Sequence, residues 1–194
     1  MSLILGILAQ DVAGAGGGTS YESIATVTVG GTSVSNIEFT SIPGTFTHLQ
    51  IRCFAQENRA TFGISDATLQ FNSDTGSNYS WHSLRGFGNS VDASGNANQT
   101  AMTVADGMWG TNTGGTFGVG IIDILDYTNT NKYTTIRTLS GVDVNGTVGG
   151  YGGWLGFLSG NWRNTNAVTS IKINAVSGNF LQYSSFALYG IKGA

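Results

Sequence analysis

The sequence predicts an all-β fold, an antiparallel β-sandwich of jelly-roll type preceded by a short N-terminal arm. Three observations predict it. Apolar residues recur with a period of two, the period of a strand with one buried face. Clusters of Gly, Asn and Ser interrupt the chain at short, regular intervals. Blocks of Ala, Glu, Lys, Leu and Arg, which build long helices, are missing. About ten short strands so spaced make a sandwich or barrel rather than a βαβ array. No repeat of 20–50 residues marks a propeller or solenoid.

Residues 1–20 divide into an apolar arm and a Gly-rich linker; residues 21–194 form the domain. The arm, Met1-Ser2-Leu3-Ile4-Leu5-Gly6-Ile7-Leu8-Ala9-Gln10, imitates the core of a signal peptide but lacks its basic start. Gly14 to Gly18 reads as a flexible tether. Sheltering one Leu or Ile side chain is worth about 1.5–3 kcal/mol. Leu3, Ile4, Leu5, Ile7 and Leu8 are therefore expected to pack on another surface, of an oligomer or a larger assembly.

Within the domain, Ile24–Val29 is β-branched and ends at Gly30-Gly31. A second run, Ser33–Thr40, stops before Pro43, the only proline. Phe46–Ala55 is the clearest strand, with Leu49, Ile51 and Cys53 on one face and His48, Gln50 and Arg52 on the other. Short extended segments follow at Thr68–Phe71 and Tyr79–Leu84, separated by the turn cluster Asn72 to Ser77. Gly86–Gln99 offers little to bury and reads as a surface loop. Thr100–Val104 leads toward Trp109. Phe117–Leu125 reads as a core strand paired with Lys132–Leu139 in a hairpin. Gly141–Gly153 reads as a Gly-rich connection, Trp154–Leu158 as apolar core, and Val168–Ala175 and Ser184–Ile191 as the last strands.

Composition narrows the function. Hydrophobic residues are 40% and aromatics 11% of the 194 residues, and the net charge is −3, so the chain has a core and is not disordered. The eight Lys and Arg are scattered, whereas nucleic-acid binding needs clustered positive charge. No run approaches the roughly 20 apolar residues of a membrane-spanning helix. Cys53 is the single cysteine and reads as a small buried hydrophobe.

Catalytic, metal and cofactor signals are equally thin. His48 and His82 have no zinc-type spacing, and no Gly-x-Ser-x-Gly elbow occurs. No pair of carboxylates is marked out for glycoside hydrolysis. Asn72-Ser73-Asp74-Thr75-Gly76 loosely imitates a calcium loop but lacks the closing Glu; Asn and Asp bonding their own backbone in a turn accounts for it better. The chain thus reads as a non-enzyme without cofactor or metal. Among the tryptophans, Trp109 and Trp162 have loop-like neighbours and are the candidate exposed platforms for a glycan.

Two stretches resemble a specific family. One is Ser41-Ile42-Pro43-Gly44-Thr45-Phe46-Thr47-His48-Leu49-Gln50-Ile51-Arg52, followed by Phe71-Asn72-Ser73-Asp74-Thr75-Gly76-Ser77-Asn78-Tyr79-Ser80-Trp81-His82. The other is Ser185-Phe186-Ala187-Leu188-Tyr189-Gly190-Ile191-Lys192. Together with Tyr21 to Val29 they resemble a family of tailed-phage virion proteins with jelly-roll-like domains. The resemblance covers residues 21–192, with Gly86–Trp162 the least characteristic part, and Phe46 stands where tyrosine is commoner. It implies a homotrimer, made in the host cytoplasm and carried on the virion. The partner would be the major capsid protein or another virion protein, for a capsid cement (decoration) protein that stabilises the shell. The other role it implies is a tail-fibre or receptor-binding module recognising a host glycan.

Overall fold

The computed structural model describes residues 20–59, 64–111, 115–148 and 151–193. The arm residues Leu3, Ile4, Leu5, Ile7 and Leu8 lie outside them. The described residues contain twelve strands and no helix. In chain order these are β1 (Tyr21–Thr28), β2 (Asn36–Phe39), β3 (His48–Glu57), β4 (Ile64–Phe71), β5 (Tyr79–Phe87) and β6 (Ser90–Gln99). There follow β7 (Met102–Thr111), β8 (Gly118–Leu125), β9 (Thr134–Val148), β10 (Tyr151–Trp162), β11 (Ile171–Ala175) and β12 (Ser185–Ile191).

They form two layers. The large sheet runs β1-β12-β3-β8-β9-β10-β5-β6, antiparallel throughout. The small sheet runs β2-β11-β4-β7. The end of β3 joins them, because Gln56 and Glu57 pair in parallel with Gly110 and Thr111 of β7. The all-β sandwich expected from the sequence is therefore the observed fold.

Alternation places the core. Leu49 and Ile51 of β3, Ile122 and Ile124 of β8, Ile136 of β9 and Leu188 of β12 turn inward from the large sheet. Leu69 and Phe71 of β4, Ile171 and Ile173 of β11 and Ile37 and Phe39 of β2 meet them from the small one. Cys53 is buried as expected, and desolvation pushes its thiol up to about 12.

Two segments read as loops are strands. Ser90–Gln99 is β6, an edge strand with no buried residue, held by backbone pairing to β5. Gly88, at φ 52°, supplies the left-handed residue that a two-residue hairpin needs first. In the Gly-rich stretch 141–153, residues 141–148 belong to β9 and residues 151–153 to β10, paired antiparallel. Its glycines serve close strand contact: a Cβ on Gly141 would lie 3.0 Å from the Trp154 carbonyl oxygen, and one on Gly153 3.1 Å from that of Val142.

Candidate interaction surface

The tryptophans fall where local sequence did not put them. Trp162, a candidate exposed platform by its loop-like neighbours, is 0% exposed, which corrects its reading as a glycan platform. Its ring packs between Phe71 (5.4 Å) and Tyr79 (6.4 Å), and its Nε1 donates to Asp74 Oδ2 at 2.8 Å. Trp154, read as core, is only half-buried. It stacks on Phe87 at 4.5 Å beneath the Arg85 guanidinium and lines an open depression of about 970 Å³ with Asn89 and Asp143. Trp109 pairs through its backbone with Ser65 in the small sheet; its side chain lies outside what is described.

The Asn72–Gly76 segment is a turn. Asp74 Oδ1 accepts the Gly76 amide at 2.8 Å, and Oδ2 accepts Asn78 Nδ2 at 2.9 Å as well as Trp162. Both oxygens are engaged by the protein. Partial burial opposes the charge, but the donors from Asn78, Trp162, Gly76 and Asn164 outweigh it and hold the carboxyl below its ordinary value.

Among the described carboxylates, Glu57 is the one buried as a catalytic group would be. It is 0% exposed at the end of β3, with Ser65 Oγ donating to Oε2 at 2.7 Å and Oε1 without a hydrogen-bond partner. Burial raises it to about 7, opposed by the Ser65 hydrogen bond, reinforced by Asp66, and drawn back by Arg59 and the nearby Ser177 amide. Being closed to solvent, it offers a substrate no approach. His48 Nδ1 accepts the Asp126 amide at 2.9 Å, an architectural role.

The exposed chemistry of this molecule is on the outer face of the large sheet. Register places two adjacent rows of side chains there. One runs Ala93 (β6), Leu84 (β5), Phe157 (β10), Leu139 (β9), Ile121 (β8), ending at Arg52 (β3). The other runs Val91, Gly86, Leu155, Gly141, Val119, Phe54 across the same strands. The large apolar members are 38% (Ile121) to 76% (Val91) exposed. Contiguous apolar area of this kind on a water-facing sheet marks an interaction site.

The face is concave at its centre. A groove of about 500 Å³ runs between Phe54, Val119, Ile121, Leu139 and Leu155. Its floor is made of small residues, Gly120, Gly141, Ser185 and Ala187. A polar row borders it. Arg137 Nη2 reaches Asp123 Oδ2 at 2.8 Å, Gln50 Nε2 donates to Asp123 Oδ1 at 2.7 Å, and Arg52 Nε donates to Gln50 Oε1 at 2.9 Å. Tyr21 and Tyr189 stack at 5.0 Å with Arg52 over both rings. Asp123 and Arg137 neutralise each other, while the Arg52 cation rests on Gln50 and the two tyrosine rings at the edge of the apolar field.

Sequence reasoning missed this face, although a signal was present. Phe117–Leu125 is apolar at both parities, which a strand needs only when both of its faces are covered. Ile122 and Ile124 use one parity for the core, leaving Val119 and Ile121 for the other face.

No known protein family and no curated protein sequence matches the chain. Among solved structures, it is similar to the alginate lyase Aly36B at 15% identity and a TM-score of 0.34, covering 96% of this chain and 88% of that one. The infectious bursal disease virus VP2 subviral particle is similar at 15% identity and a TM-score of 0.25, covering 86% of this chain and 41% of that one. Scores this low carry no statement about activity.

Proposed function

We propose that the protein is a virion structural protein of a tailed phage, a cement protein that assembles as a homotrimer and adds buried area across the capsid lattice. The observation that supports this most is the two-row apolar face of the large sheet. A weakly charged molecule with such a face associates through apolar area and shape, and repetition over many lattice sites multiplies a small gain per site. The family-like motifs fit the same reading as architecture. Leu49 and Ile51, Phe71 and Tyr79, and Phe186 and Leu188 from the three motif segments are all buried in one core.

The test is to mix the purified full chain with undecorated capsids of the phage that encodes it and image them. Ordered density at symmetry-related sites on the shell, with a raised disassembly temperature, is the expected result. The other reading, a tail-fibre module gripping a host glycan, has lost Trp162 as a platform. Saccharide binding on a glycan array without any affinity for capsids would overturn the cement role in its favour.

A further inference from the structure

We propose that the groove on the outer face of the large sheet is the receptor for residues 3–8 of an adjacent copy of the chain. The inference rests on the self-assembling reading above and names which surfaces meet. The first argument is chemical: Leu3-Ile4-Leu5-Gly6-Ile7-Leu8 carries no charge, and the groove is walled by Phe54, Val119, Ile121, Leu139 and Leu155. The second is size. Six residues in extended conformation span about 20 Å. The groove's lining runs from β12 to β10, four strand spacings or about 19 Å.

The third argument is direction, which favours a neighbour over the same chain. Tyr21 opens β1 opposite Ile191, and the Ser20 carbonyl accepts the Lys192 amide at 2.9 Å, at the end of the large sheet occupied by His48. β1 then runs toward the level of the groove, where Thr28 pairs with Ser185 and Ser185 with Phe54. The chain before Tyr21 therefore approaches from the end away from the groove. Between that end and the groove stand the Tyr21–Tyr189 stack and the Gln50–Asp123–Arg137 row. Residues 9–19 can extend about 36 Å, so the tether itself permits either groove, and the trapping experiment separates the two.

The experiment uses full-length chains and cysteine trapping. One variant carries Ile7→Cys, the other Leu139→Cys, both in a Cys53→Ala background because Cys53 borders the groove, and the two are mixed under mild oxidation. A disulfide-linked heterodimer is expected, at least tenfold above the control pairing Ile7→Cys with Val176→Cys, an exposed position elsewhere. Leu139→Asp should weaken self-association of the full chain at least tenfold in sedimentation. Leu139 is 51% exposed, so the fold tolerates the change, and unaltered circular dichroism verifies this. Val119→Asp should act the same way. Cross-linking no greater than the control overturns the proposal. So does closure of the Ile7→Cys/Leu139→Cys double variant within single chains while the mixture stays unlinked. Trapping between copies by a protein that never binds capsids would refute the cement role alone.

Discussion

At Glu57 the local energetics can be followed to a measurable pH dependence. The carboxyl is held at about 7 against an ordinary 4.5, chiefly by burial. Below the ordinary value it is protonated in both folded and unfolded chains, and no stability is lost. As pH rises from about 4.5 to about 7 the unfolded chain releases the proton first, so stability falls, by at most about 3 kcal/mol. Above about 7 the loss is complete and constant. Denaturant titrations across this window should show the decline in the native protein, and Glu57→Gln should flatten it. Asp74 offers a second test. Its removal in Asp74→Ala strips Trp162 Nε1, Asn78 and the Gly76 amide of their acceptor. A loss of about 2–3 kcal/mol is expected, read as a lower urea midpoint at unchanged slope.

Single strands show where tolerance ends and how much was legible beforehand. Gly190 on β12 lies under the Phe46 ring: an added Cβ would sit 2.3 Å from Phe46 Cγ. Gly190→Ala should cost about 1–3 kcal/mol by overpacking. The same change made in a Phe46→Ala background should cost much less, and a double-mutant cycle of thermal or urea stabilities measures the difference. β3 was plain in the sequence because its alternation and its burial coincide from Leu49 to Cys53. β6 was not, because an edge strand with no buried residue has no apolar alternation to display. Only its Gly88-Asn89 turn signalled a hairpin. Trp154 and Trp162 project from the same face of β10, being separated by an even number of residues. Which of them is covered depends on where the opposing layer packs along the strand, which no local window contains. The interaction face was half visible, as apolar residues at both parities of β8, but assigning them to solvent required the second sheet.

On the proposed reading, the whole molecule associates without strong fields. Charged residues are 10% of the sequence and the net charge is −3. The ion pairs near the interaction face, such as Arg137–Asp123, are internal to one subunit. Screening by salt therefore has little to act on between copies. Raising sodium chloride from about 50 mM to about 500 mM should leave the dissociation constant of the assembled form within roughly threefold, whereas charge-steered association weakens steeply over that range. Sedimentation at the two concentrations decides it.

The order of strands in the large sheet also sets a timetable. Among the described strands β1 is hydrogen-bonded to β12 alone, and β12 lies between β1 and β3. β1 thus waits for about 156 intervening residues before this described partner exists. Closure of the sandwich belongs to the moments after residue 191 has emerged, and until then the apolar side of β3 has to be kept from other nascent chains.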